Sequence, residues 1–66
     1  MPDDWLVNEL KRRGESFHAR RIERWQEKSV QIRTFLNKNA RAIEKRLGNC
    51  PDVEIGDFVT ELEIGA

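Results

Sequence analysis

His18 and Cys50 are the only side chains of their kinds in the 66 residues, and tyrosine is absent. Nucleophilic chemistry would therefore have to run through this single pair, with the imidazole drawing the proton from the thiol. The surroundings argue against it. Cys50 follows a run that ends at Gly48, where the negative end of a helix dipole raises a thiol pKa instead of lowering it. His18 falls on an apolar stripe, and no third group is placed to orient it. Asp52, Glu54 and Asp57 crowd six residues and could approach a divalent cation, but they lack the glycine at position six and glutamate at position twelve of a calcium loop. One cysteine and one histidine are too few for zinc, and there is no glycine-rich loop to cradle a phosphate. The reading is a protein without catalytic, cofactor-binding or metal-binding residues.

The charges are more informative than these candidates. The net charge is zero, yet all twelve Lys and Arg lie in residues 11–46 against four glutamates, a net of +8. The first ten residues carry −3 and the last nineteen −5, the latter from Asp52, Glu54, Asp57, Glu61 and Glu63 with no cation among them. A basic middle between acidic ends can bind a polyanion, its own tail, or a copy of itself. Arg20, Arg24, Lys38, Arg41 and Lys45 form a basic helical face. Trp25 sits beside Arg20, Arg21, Arg24 and Lys28, a combination that serves phosphates and stacked bases. A helix-turn-helix can be drawn through residues 29–47, with 37–39 as its turn. Against this, Trp25 shares the apolar stripe, and Arg20/Glu23, Arg24/Glu27 and Arg41/Glu44 are the i,i+3 pairs of an ordinary solvated helix.

The elements that must carry these residues read as follows. Pro2, Asp3 and Asp4 start a helix over residues 4–13, with Asp3 as cap; Gly14 either ends it in the left-handed conformation, the favoured reading, or is a soft spot in one continuous helix. Ser16 then caps a second helix. His18, Ile22, Trp25, Ser29, Ile32, Leu36, Ala40, Ile43 and Leu47 recur every three or four residues on one face, predicting a long helix over 16–47, about 50 Å if continuous. It is either unbroken or interrupted near 37–39, where Asn39 can cap a final piece. Gly48 and Pro51 end it. In residues 48–66, the alternation through Thr60, Glu61, Leu62, Glu63 and Ile64 predicts a short β segment, and Gly56-Asp57 a hairpin turn.

A chain of this length supplies only a small core, commonly reinforced by disulfides, metal or oligomerisation. The first two are excluded by the cysteine and histidine counts. Nineteen large apolar side chains rule out simple disorder. The expected fold is mainly α: a short N-terminal helix, a long amphipathic helix and a C-terminal β segment in one small domain. Ile22, Trp25, Ile32, Leu36, Ile43 and Leu47 would form the interface of a homodimer or small oligomer. No apolar run is long enough for a transmembrane helix, and one free cysteine fits a reduced, cytoplasmic setting. The expected function is a small non-enzymatic binding protein, an adaptor or inhibitor that contacts a larger protein as a homo-oligomer. The alternative is a nucleic-acid-binding regulator using the basic face.

Overall fold

The computed structural model describes residues 4–65, so the expected capping role of Asp3 lies outside the described residues. The described residues are mainly helical and contain no strand. They form α1 (Trp5–Arg12), α2 (Ser16–Gln26), α3 (Val30–Lys38), α4 (Ala40–Gly48), a 3-10 turn over Asp52–Glu54, and α5 (Ile55–Gly65). The radius of gyration is 10.7 Å, close to the roughly 10.8 Å of a well-packed chain this long.

The break after α1 follows the glycine expectation. Gly14 has φ +79°, its N–H donates to Lys11 O, and the N–H of Glu15 donates to Leu10 O. This pair of bonds closes a helix C-terminus in a Schellman motif. Ser16 does not cap α2: it is the first helical residue and makes no side-chain cap bond.

The expected long helix is instead three helices. Ser29, read as one rung of the apolar stripe, is extended (φ −161°, ψ 140°), and its Oγ accepts from the N–H of Gln31. A serine hydroxyl competes with the helical ladder for exactly such an orphan N–H, so the chain turns here. The second break falls at Asn39, inside the region expected. Its side chain does not cap α4; Nδ2 donates back to Phe35 O at 2.9 Å. Broken twice, the stripe folds onto itself. Ile22, Trp25, Leu36, Ala40, Ile43 and Leu47 are buried with Trp5, Leu6, Val7 and Leu10 of α1, so their burial is achieved within one chain. Gly48 remains helical and Asn49 follows it, donating from Nδ2 to Lys45 O.

The expected β segment and hairpin are corrected most sharply. Residues 52–65 are a 3-10 turn running into a helix. Two periods compete in this segment. Ile55, Phe58, Val59 and Leu62 stand at helical spacing and are all buried, whereas Val53 and Ile64, which only an alternating strand would bury with them, are 89% and 79% exposed. The helix wins because it presents four apolar side chains to the core without leaving strand-edge backbone groups unpaired. Gly56 is no turn. It lies in the first turn of α5, where the His18 ring packs so closely that a Cβ would stand 3.2 Å from Cε1.

Arg13 ties the end of α1 to the far end of the chain. Its guanidinium donates to Leu47 O at 2.8 Å, Cys50 O at 2.7 Å and Asp52 Oδ1 at 2.8 Å. Two predictions follow from these joints. Ser29→Ala should cost about 1 kcal/mol, with Ser29→Asp close to wild type, in urea denaturation. Arg13→Ala should cost about 2 kcal/mol, and Arg13→Lys should recover little of it, because one ammonium cannot match three fixed acceptors.

Candidate partner-binding surface

The tail carboxylates divide the basic residues into tied and untied sets. Arg13 pairs with Asp52, Arg21 with Glu63 and Arg46 with Glu61. Arg21 also donates to Thr60 Oγ1 and lies 3.3 Å from His18 Nδ1. Arg46 stacks over Phe58, 5.3 Å from the ring centroid. The five residues read as a basic face, Arg20, Arg24, Lys38, Arg41 and Lys45, are all exposed and take part in no ion pair among the described residues. The acidic tail is split likewise: Asp52, Glu61 and Glu63 are engaged, while Glu54 and Asp57 are exposed and have no ion pair among the described residues.

Of the expected interface residues, Ile22, Trp25, Leu36, Ile43 and Leu47 belong to the core. Ile32 does not close over. Together with half-buried Phe35 it packs against the outside of the core, where the Trp25 and Phe35 rings meet edge-on, 6.4 Å between centroids. A groove of about 270 Å³ lies here between α2, α3 and the end of α5, lined by Trp25, Ser29, Gln31, Ile32, Phe35 and Glu63. Trp25 thus belongs to the core and also lines the groove. A second, smaller hollow of about 200 Å³ on α2 is formed by Phe17, Arg20, Arg21 and Arg24. Phe17 is 73% exposed; it lies one residue before His18, whose ring packs on Gly56 of α5.

His18 and Cys50 are not joined by a hydrogen bond. His18 packs against Gly56 and meets Phe17 edge-on, while the Cys50 thiol points to Pro51 O at 3.6 Å. Burial pushes the Cys50 thiol pKa up, and the Glu54 carboxylate pushes it further; both disfavour the thiolate that a nucleophile requires. Among the described residues, no three His, Cys, Asp or Glu side chains gather as a metal would require, and no helix is long and apolar enough to cross a membrane.

No protein-family model, curated protein or solved structure matches the chain. The surface is thus read from its own chemistry.

The thiol gives a direct check. Alkylation of Cys50 by iodoacetamide, followed by mass spectrometry, should be slower at pH 8 than for an unstructured cysteine peptide and should accelerate only above the ordinary thiol range. Glu54→Gln removes the nearby negative charge, so it should move that rise to lower pH.

Proposed function

We propose that this protein is a small non-enzymatic binding module, an adaptor or inhibitor that acts by occupying a surface on a larger protein. The observation that carries the reading is the groove at Trp25, Ile32 and Phe35. It stays open after the chain has completed its own core, and it is lined by two aromatic rings that meet edge-on, one in the core and one packed against it. An apolar side chain of a partner entering such a pocket exchanges water for aromatic contact at little cost in ordering, which is how binding hot spots work. Ser29, Gln31 and Glu63 supply a polar rim that can orient the incoming segment.

The alternative, a regulator that binds nucleic acid, draws on the exposed Arg20, Arg24, Lys38, Arg41 and Lys45. Its support is weaker than the local +8 suggests, because Arg13, Arg21 and Arg46 already face tail carboxylates. Glu23 on α2 and Glu27 just past its end also interrupt the row.

A photo-crosslinking residue in place of exposed Gln31, introduced in the native host, tests the reading. A discrete protein adduct is expected, and the purified partner should bind the wild-type chain about tenfold or more tighter than Ile32→Glu, with helicity unchanged by circular dichroism. Adducts to nucleic acid alone, or equal affinity of wild type and Ile32→Glu, would overturn it.

A further inference from the structure

Two surface patches outside the groove complement each other. The first is on α2: the exposed Phe17 ring with Arg20 and Arg24, whose guanidiniums meet no carboxylate among the described residues. The second is a cleft of about 370 Å³ where α4 meets the 3-10 turn and α5, lined by Asn49, Cys50, Pro51 and Phe58 together with the charged Arg46, Glu54, Asp57 and Glu61. Arg46 and Glu61 neutralise each other there, so the charge left over is that of Glu54 and Asp57. Beside the cleft stands Val53, 89% exposed. One patch is an aromatic ring with two spare cations; the other is a partly apolar hollow with two spare anions.

The first turns of the helices that carry them are in contact, through the His18 ring on Gly56. Phe17 and Asp57 are the sequence neighbours of that contact. Patches of opposite character on touching elements suit a twofold axis, because rotating one copy by half a turn presents each patch to its complement.

We propose that the protein pairs with a second copy of itself in this way: Phe17 of each copy enters the cleft between α4 and α5 of the other, and Arg20 and Arg24 face Glu54 and Asp57. The interface is not the apolar stripe that the sequence suggested, since that stripe, apart from Ile32, is largely spent on the core. It leaves the groove at Ile32 and Phe35 unused, so the inference stands independently of the partner reading. A second copy fits better than a polyanion, which the α2 arginines alone would attract but which Glu54 on the 3-10 turn and Asp57 on α5 would repel. The contact is small and partly polar, placing it among weak, exchanging associations.

Sedimentation equilibrium of the full chain tests this. A monomer–dimer equilibrium is expected at low salt, weakening as sodium chloride rises from about 50 to about 500 mM. R20E/R24E and E54R/D57R should each raise the dissociation constant by about tenfold or more, and their equimolar mixture should restore association to near the wild-type value. Phe17→Ser should weaken pairing without removing its salt dependence. A wild-type chain that stays monomeric to about 1 mM would overturn the proposal. So would charge-reversed variants that dimerise like wild type, a mixture that fails to recover, or open growth beyond dimers. Retention of DNA or RNA by a monomer, abolished in R20E/R24E, would assign the α2 face to nucleic acid instead.

Discussion

One guanidinium holds the corner from which the last helix sets out. Arg13 stands just past the end of α1 and satisfies carbonyl groups at Leu47 and Cys50 together with the Asp52 carboxylate. Carbonyls at the end of a helix have no partner within it, and the negative end of the dipole favours a cation there. Arg13 meets both needs at the end of α4 while reaching across 34 residues or more of sequence. Its side chain is only 19% exposed, so these charge-assisted bonds are partly shielded from water and from salt. The corner at Cys50 and Pro51, and with it the direction in which α5 sets out, is held by this contact.

From that corner α5 returns across α2. Ile55, Phe58, Val59 and Leu62 complete the core, and burial of such side chains contributes about 1.5–3 kcal/mol each. The Arg21–Glu63 and Arg46–Glu61 pairs contribute less, about 0–1 kcal/mol each for ions this exposed. Apolar contact thus provides the attachment and charge its orientation. The acidic block is not a free arm, and the basic block is not free to meet a polyanion with its whole charge.

What remains at the surface follows from the same division. Trp25 and Phe35 are fixed edge-on by the core, and Ile32 beside them is left half-covered. Phe17, Arg20 and Arg24 look outward from a helix whose other face is buried, while Glu54 and Asp57 do so from the returning tail. Among the described residues the core takes fifteen apolar side chains, and an aromatic groove and two oppositely charged patches remain at the surface. The groove shares Trp25 with the core, and the cleft between α4 and α5 shares Phe58 with it.

The helical class, the break at Gly14 and the apolar stripe that supplies Ile22, Trp25, Leu36, Ala40, Ile43 and Leu47 were legible in the sequence, because they depend on local geometry: a three-to-four residue spacing and a glycine able to take positive φ. So was the chance that the tail would dock on the basic segment, since apolar residues alternated there with carboxylates. That the stripe would be buried within one chain and not between copies was not legible. Three features were settled only by tertiary contact. At Ser29 the stripe's periodicity continues across the break, and only the gain from folding α3 back on α2 favours the capped turn over one more helical rung. In residues 52–65 both a two-residue and a helical period are present, and the core surface offered by α2 selects the set Ile55, Phe58, Val59 and Leu62 over the set ending in Ile64. The shape of the surface, with Ile32 open and Leu36 closed although both lie on one predicted face, depends on how three helix pieces meet, and spacing along the chain carries no record of that.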